Sequence, residues 1–285
     1  MPELPEVETV RLGLLPHLVN QTISSVTISH PRAIRRHLAG PKDFTRQLSG
    51  KRISNINRRG KFIWMPFNDN ALIIHLGMSG QCLIFPQPTP VQRHERIRMT
   101  LQENQQAMLF VDQRTFGGMQ LDRLVRDKYG LEVPASVSHI ALDPFDPNFD
   151  LTETSKRLRT KQTEIKRALL DQGLISGIGN IYADEALWLA RLHPRRQASS
   201  LTAVQAKSVL LAAAEVMQRA LAQGGTSFDS LYVNVNGESG YFARDLNAYG
   251  RANQPCPRCG RPIRREKFTN RSSHLCPRCQ RAPKR

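Results

Sequence analysis

The chain has 285 residues, of which 40% are hydrophobic, a content that supports a buried core and excludes a disordered chain. The sequence shows neither a leader-like start nor an apolar stretch of membrane-spanning length, so we expect a cytoplasmic protein. Lysine and arginine number 41 against 24 acidic residues, a formal net charge of +17, which indicates a polyanionic partner, first of all a nucleic acid.

The first predicted element is an amphipathic helix at the N-terminus. Behind the opening PELPEVE, apolar residues recur at helical spacing: Val7, Val10, Leu14 and Leu18. Pro5 suits the first turn of such a helix. Acidic residues in a first turn, such as Glu3 and Glu6, are favoured by the helix dipole, so the pattern alone gives them no catalytic role.

Short β-type runs follow from about Ile23 to Val125, separated by Gly, Pro and Asn. They predict either a two-sheet β-sandwich or a barrel. Residues 143–150 are rich in Pro and Asp and predict a linker. Helical patterns rich in Ala and Leu then run to about Ala222 and predict a mostly helical second domain.

A glycine-rich connector, residues 173–179, lies between two predicted helices, the second of which starts at about Asn180. Consecutive backbone amides at such a turn can bind an anion. Lys166 and Asn180 on either side favour a phosphate, although Asn180 can also cap the helix. An ordinary tight helical hairpin is the alternative. The G-x-G here does not predict a dinucleotide site, since a preceding strand and a third glycine are lacking.

Four cysteines near the C-terminus have the spacing C-x2-C-x16-C-x2-C: Cys256, Cys259, Cys276 and Cys279. This pattern predicts one structural Zn²⁺ held by four thiolates. Two disulfides are the alternative, which a reducing cytoplasm disfavours. Cys82 lies in an apolar run and is assigned no role. Residues 251–285 hold eleven Lys or Arg and one acid, and we hypothesise that Arg271, between the cysteine pairs, contacts the DNA backbone.

Six segments in order along the chain resemble the bacterial formamidopyrimidine-DNA glycosylase family: MPELPEVETV, HLGMSG, DQRTFGG, GIGNIYADEAL, GYFARDLNAYGR and the two CPRC pairs. The resemblance implies an α+β multidomain fold. An N-terminal helix on a β-sandwich would span 1–135, a helix-two-turns-helix domain 150–235 and a β-hairpin zinc finger 245–285, with DNA in the cleft between. The implied partner is double-stranded DNA containing oxidised purines or abasic sites. We expect a monomer with no obligatory protein partner, used at the nucleoid.

The resemblance also assigns chemistry to the N-terminus. Proline is small enough for the preceding Met1 to be removed, which would leave Pro2 with a secondary amine. That amine is implied to attack C1′ of the damaged nucleoside and to form an iminium, from which β,δ-elimination cleaves the strand. Glu3 is expected to transfer protons and Glu6 to orient the terminus. Lys61 is expected near the lesion, a solvated hairpin-tip cation being the alternative.

Three further residues match the family's group that fills the space left by an everted nucleotide: Met78, Arg114 and Phe116. Arg114 would contact the opposite cytosine. Taken alone, Met78 and Phe116 would be core residues. His75 could contact a phosphate, and a hydrogen-bonded structural histidine is the alternative.

Three further features bear on what the resemblance implies: Thr115 on one contact with the DNA backbone, and the other two on the choice of lesion. Thr115 stands where many family members carry a second arginine. Residues 227–241 correspond to the family's base-covering loop, in which the sequence assigns no individual contacts. The endonuclease VIII branch, which acts on oxidised pyrimidines, opens with Gly in place of Leu4, so the purine branch is expected here.

Two other hypotheses explain part of the pattern. A non-enzymatic DNA- or RNA-binding zinc protein accounts for the charge, the cysteines and the helical turn, but it has no need of Pro-Glu at the terminus. A catalytically inactive family member is a further alternative, since the presence of Pro2, Glu3, Glu6 and Lys61 does not establish their geometry.

Overall fold

The chain divides into two compact units. The computed structural model describes residues 2–225, 235–236 and 245–283. One unit comprises the described residues of 1–139 and 224–241, and the other those of 140–223 and 242–285. The sequence-based limits placed 224–235 with the helical domain. In the structure, Val235 packs into the core of the first unit, and its carbonyl accepts a hydrogen bond of 3.0 Å from the Ile84 amide.

The first unit begins with the predicted helix. Helix α1 spans Leu4–Leu18 and has Pro5 in its first turn. The four apolar residues that predicted it all have side chains at most 1% exposed. They pack against side chains from the strands, so α1 is held to the sheets by its apolar face.

Two antiparallel sheets form most of the rest of this unit, which settles the choice between sandwich and barrel in favour of a sandwich. The four-stranded sheet has the order β1 (Ile23–Ile28), β6 (Glu95–Leu101), β7 (Gln106–Asp112), β5 (Gly80–Pro86). The five-stranded sheet has the order β2 (Asn57–Arg59), β3 (Phe62–Phe67), β4 (Asn70–His75), β8 (Gly118–Arg126), β9 (Glu132–Pro134). Burial alternates strictly along β6, as expected of a strand with one face on a core.

One helix of the first unit was not predicted. Helix α2 spans Gly40–Leu48 within the region assigned to strands. It has Pro41 in its first turn, and it buries Phe44 and Leu48, which lie four residues apart on one face. A single pair of buried residues is a weak periodic signal.

The second unit is helical and ends in a hairpin. Its helices are α3 (Leu151–Thr160), α4 (Ile165–Leu169), α5 (Asn180–Leu189) and α6 (Ala203–Ala222), and its hairpin pairs β10 (Arg264–Phe268) with β11 (Arg271–Leu275). Asp150, in the predicted linker, caps α3 by accepting a 2.9 Å hydrogen bond from the Glu153 amide. The predicted α+β architecture is therefore confirmed. No helix among the described residues is both long and apolar enough to cross a bilayer.

Candidate functional site

The N-terminal segment is buried together with two carboxylates. Pro2 is buried, and the side chains of Glu3 and Glu6 are each 2% exposed. Glu6 Oε2 accepts a 2.9 Å hydrogen bond from the Glu3 amide. Glu6 thus orients the first turn of α1, and it holds the backbone that carries Pro2 and Glu3.

Gly225, more than 200 residues further along the sequence, lies against the same segment. Its φ of +89° is in the region that favours glycine, and a Cβ built on it would lie 3.2 Å from Glu6 Cγ. A larger residue would press on the Glu6 side chain. The predicted base-covering loop, 227–241, lies outside the described residues apart from Val235 and Asn236.

Lys61 lies in the two-residue turn between β2 and β3, where Gly60 has a φ of +54°. Its side chain is only 9% exposed, so it is not a solvated hairpin-tip cation. Arg58 donates to the Gly60 carbonyl at 3.1 Å and to Glu8 of α1 at 2.7 Å. This chain of hydrogen bonds ties the turn that carries Lys61 to α1.

His75 ends β4 with its ring fixed in orientation. Its Nδ1 accepts a 3.2 Å hydrogen bond from the Gly77 amide, so in the neutral ring the proton is on Nε2. Burial, aided by the positive charges of Arg36, Lys61 and Arg35, lowers the pKa of His75 to about 4. His75 is therefore a neutral ring, and its Nε2–H is the donor it can offer to a phosphate.

Met78 and Phe116 are not core residues. They are 40% and 46% exposed, and the Arg114 side chain is exposed as well. All three project from loops that connect the two sheets. Thr115, by contrast, is 8% exposed and has a φ of +55°, so this position turns into the protein between two exposed neighbours.

In the second unit, Lys166 has a structural environment that the sequence did not indicate. Its side chain is 0% exposed and pairs with Asp184, which is 1% exposed, at 2.7 Å. Lys166 Nζ also donates to the Ser272 carbonyl at 3.0 Å. Asp184 in turn accepts from Ser273 Oγ at 2.9 Å and from the His274 amide at 2.8 Å. We therefore reassign Lys166 from a DNA contact to a buried latch between α4, α5 and β11.

Asn180 takes part in the same latch. It is the first residue of α5, whose N-cap is Gly179, so Asn180 is not itself the cap. Its Nδ2 donates to the Ser272 carbonyl at 3.1 Å. The amide keeps a second hydrogen, and the phosphate contact stays a prediction.

Two acidic residues important to this unit were missed at the sequence level. Besides Asp184, Glu185 is 1% exposed, and its carboxylate accepts from the backbone amides of Asn247, Ala248 and Tyr249 at 2.7–2.9 Å. Two adjacent acids in a helix of otherwise apolar character were the available signal, because buried carboxylates need donors.

The four C-terminal cysteines form a metal site. Their sulfurs all lie within 4.8 Å of one another, and the Sγ atoms of Cys259 and Cys276 are 3.4 Å apart. All are free thiols, which excludes the two disulfides. Tetrahedral Zn²⁺ with Zn–S bonds of about 2.3 Å needs sulfurs about 3.8 Å apart, so the donor set fits one structural zinc ion.

The cluster of four cysteines is anchored to α5 through Trp188. The indole Nε1 donates to Cys256 Sγ at 3.4 Å, and the Arg258 guanidinium stacks 4.0 Å over the indole ring. Arg271 begins β11 and is exposed. Cys82, in the first unit, is buried, which raises its pKa to about 12, in keeping with its having no assigned role.

Comparison with known proteins matches the whole chain to one family. The family model of the formamidopyrimidine-DNA glycosylase N-terminal domain matches residues 1–119, that of its H2TH domain 140–231, and that of a zinc finger found in FPG and IleRS 253–282. The formamidopyrimidine-DNA glycosylase of Rhodococcus jostii is 60% identical over 287 residues, covering 100% of this chain and 98% of the relative.

Solved structures agree. A Lactococcus lactis FPG mutant in complex with Fapy-dG-containing DNA has a TM-score of 0.86 at 32% identity, covering 99% of this chain and 100% of the other. MutM in complex with carbocyclic 8-oxo-G-containing DNA has a TM-score of 0.84 at 32% identity with the same coverage. The identity and coverage of these matches show that the chain belongs to the formamidopyrimidine-DNA glycosylase family.

Proposed function

We propose that this protein removes oxidised purines, 8-oxoguanine and formamidopyrimidines, from double-stranded DNA and then cleaves the strand at the abasic site. The observation that carries the proposal is the buried N-terminal group of Pro2, Glu3 and Glu6 in a chain of this family. The complexes of related proteins with Fapy-dG and 8-oxo-G DNA support the choice of substrate.

The first step uses the Pro2 amine, which becomes the free N-terminus once Met1 is removed. Its nitrogen bonds to C1′ as the bond from C1′ to the base breaks, and the base leaves with that electron pair and takes up a proton. The nitrogen loses its own proton, and the C1′–O4′ bond opens. Glu3 supplies the proton to O4′. The product is an iminium, which is cationic because the proline nitrogen has no second hydrogen to lose.

The iminium then acts as an electron sink for strand cleavage. Loss of a proton from C2′ sends electrons towards the iminium and expels the 3′ phosphate. A second elimination expels the 5′ phosphate and leaves a one-nucleotide gap. Lys61 lies in the turn that the hydrogen bond from Arg58 to the Gly60 carbonyl stabilises. It would lie near the phosphate of the lesion and stabilise its negative charge.

Lesion access requires that the nucleotide leave the base stack. Met78 and Phe116 would fill the space, and Arg114 would hydrogen-bond the opposite cytosine. His75, Asn180 and Arg271 would contact phosphates. Zinc supplies no chemistry in this scheme, because its four thiolate ligands leave no position for substrate.

Borohydride trapping tests the proposal. A duplex with 8-oxoguanine opposite cytosine is incubated with the protein and borohydride, and the cross-linked peptide is identified by mass spectrometry. We expect a cross-link at Pro2. Pro2→Gly should retain part of the activity through its primary amine, whereas an intact N-terminal extension should abolish it.

The alternatives give different results in the same assay. Tight duplex binding without a cross-link would favour a DNA-binding or inactive protein. Faster cleavage of a thymine glycol duplex than of the 8-oxoguanine duplex would favour the pyrimidine branch. Full activity with an intact extension would contradict the role of Pro2.

We propose further that the protein acts as a monomer in the bacterial cytoplasm, at the nucleoid. The charge of +17 supports association with chromosomal DNA. A C-terminal fluorescent fusion, which leaves Pro2 unblocked, should overlap the nucleoid, and a diffuse signal that avoids it would contradict this location.

A further inference from the structure

The two loops that carry Met78, Arg114 and Phe116 lie side by side because of the sheet topology. The 76–79 loop joins β4 to β5, and the 113–117 loop joins β7 to β8. Strands β4 and β8 are neighbours in one sheet, with His75 opposite Gly118, and β5 and β7 are neighbours in the other, with Gly80 opposite Asp112. Both loops, here called the wedge loops, therefore cross from sheet to sheet at the same edge.

One buried carboxylate joins the wedge loops. Asp112 is 0% exposed, and its Oδ1 accepts from Ser79 Oγ at 2.6 Å and from the Arg114 amide at 3.1 Å. Its Oδ2 accepts from the Gly117 amide at 2.7 Å. Ser79 Oγ also accepts from the Arg114 amide at 3.2 Å. Asp112 thus organises its own loop and holds the other through Ser79.

The backbones of the two loops are also in direct contact. Gly77 has a φ of +63°, and a Cβ built on it would lie 2.3 Å from the Gly117 nitrogen. A Cβ on Gly117 would lie 2.8 Å from the carbonyl oxygens of His75 and Leu76. Only glycine allows this approach. From the other side, Arg35 donates to the carbonyls of Phe116 and Gly117 at 2.8 Å each.

The fixed backbone contrasts with the side chains that it carries. Met78 and Phe116 are 40% and 46% exposed, and large apolar side chains exposed together on two adjacent loops are typical of an interaction site. Preorganised backbone beneath exposed anchors lowers the ordering cost of binding. The contacts therefore act on how the anchors are presented, and none of them involves Pro2, Glu3 or Lys61.

We propose that Asp112 and Ser79 are positioning residues that couple the wedge loops, so that Met78, Arg114 and Phe116 enter the duplex as one rigid group. The inference rests on the proposed function and adds to it a residue pair that acts on opening of the duplex and leaves the reaction at Pro2 unchanged. Loss of either side chain lets the loops move separately.

Two substrates separate these steps. Excision from a duplex with 8-oxoguanine opposite cytosine requires opening of the stack, whereas cleavage of a single-stranded oligonucleotide with an abasic site requires only the chemistry. For Asp112→Asn and Ser79→Ala we expect the single-turnover duplex rate to fall about 10- to 100-fold, because misplacement of positioning groups has effects of this size. Single-strand cleavage should stay within about twofold of wild type.

A fluorescent 2-aminopurine placed beside the lesion reports unstacking directly. In the two variants, the fast phase of its fluorescence change should slow in step with the single-turnover duplex rate. Asp122→Asn is the matched control. Asp122 lies in the middle of β8, away from the wedge loops, and accepts from the amides of Arg123 and Ser136 at 2.9 Å and 2.7 Å, so its loss should not change the ratio of the two rates. Ser79→Ala removes one hydroxyl and serves if Asp112→Asn does not fold.

The outcomes distinguish this inference from the proposed function. Equal losses on both substrates, or no loss on either, would overturn the coupling while the proposed function stands. A wild-type protein that cleaves neither substrate would overturn the proposed function, and the coupling with it. A selective loss on the duplex, together with slowed unstacking, supports the coupling.

Discussion

His75 is a residue whose surroundings oppose its protonation. Its pKa of about 4, set by burial and the nearby cations, is below that of a histidine in the unfolded chain, which is about 6.5. Between these values the unfolded chain binds more protons than the folded one, so stability falls as the pH drops. We expect His75 to remove about 1–3 kcal/mol from the free energy of unfolding across this range.

Urea unfolding at about pH 7 and about pH 4.5 measures this effect. His75→Asn offers an oxygen to the Gly77 amide and does not titrate, so the variant should lose less stability than wild type between the two pH values. Equal losses would show that His75 does not carry a lowered pKa in the folded protein.

At the scale of single residues, the spacing of the cysteine pairs was sufficient to predict the zinc site, whose four sulfurs lie within 4.8 Å of one another. The roles of Pro2 and Glu3 came from the family resemblance, because acidic residues in a first helical turn have an ordinary explanation in the helix dipole. The burial of Lys61 and Lys166 could not be predicted, because lysine is exposed in most proteins, and the partner of Lys166 is Asp184, 18 residues further along the chain. Asp112 was passed over because the Ser79 hydroxyl, through which it holds the other loop, lies 33 positions away in the sequence.

The buried pair of Lys166 and Asp184, which links α4, α5 and β11, leads to a prediction at the scale of elements. Lys166→Met would leave the Asp184 carboxylate buried without its counter-charge, which costs about 3–5 kcal/mol. Adding Asp184→Asn should recover a large part of this loss, since an amide can still accept from the His274 amide and donate to Ser273 Oγ. Urea unfolding of the zinc-loaded variants measures the recovery as a double-mutant cycle.

The neighbouring position supplies the control. Arg167 follows Lys166 on α4, but its side chain is 58% exposed, so Arg167→Met should change stability by less than about 0.5 kcal/mol. If Lys166→Met weakened duplex binding without lowering stability, Lys166 would contact DNA as the sequence suggested, and the latch would be wrong.

Elements with strong periodicity were predicted well, and short or composite ones were not. Helix α1 carries four buried residues at helical spacing, and its predicted start within the first six residues is confirmed. Helix α2 has nine residues and only Phe44 and Leu48 as its buried face, a pattern that also fits a strand and a turn. Sequence order placed 224–235 with the helices before it, whereas Val235 packs into the first unit. This could not be predicted, because packing between residues far apart in the sequence leaves no local pattern.

Charge is the property that belongs to the whole molecule. The net +17 implies that duplex affinity falls steeply with salt, since each phosphate contact releases a condensed counterion. Many basic side chains are bound within the protein, however. Arg35 and Arg58 donate to backbone carbonyls, and Lys166 is buried. The number of phosphate contacts should therefore be well below the number of cationic residues.

Substitution of Arg271 tests which basic side chains contact DNA phosphates. This residue is exposed at the start of β11, so Arg271→Ala should lower affinity for a duplex with a non-cleavable abasic analogue and reduce the slope of log K against log salt by about 1. Arg46→Ala removes the same charge from an exposed position on α2, where Arg46 pairs with Asp43, and should leave the slope unchanged. Titrations between about 50 and 200 mM salt measure both. Equal slopes for Arg271→Ala and wild type would mean that the protein binds DNA without Arg271. Equal reductions of the slope in both variants would mean that overall charge sets the affinity and that no specific phosphate contact does.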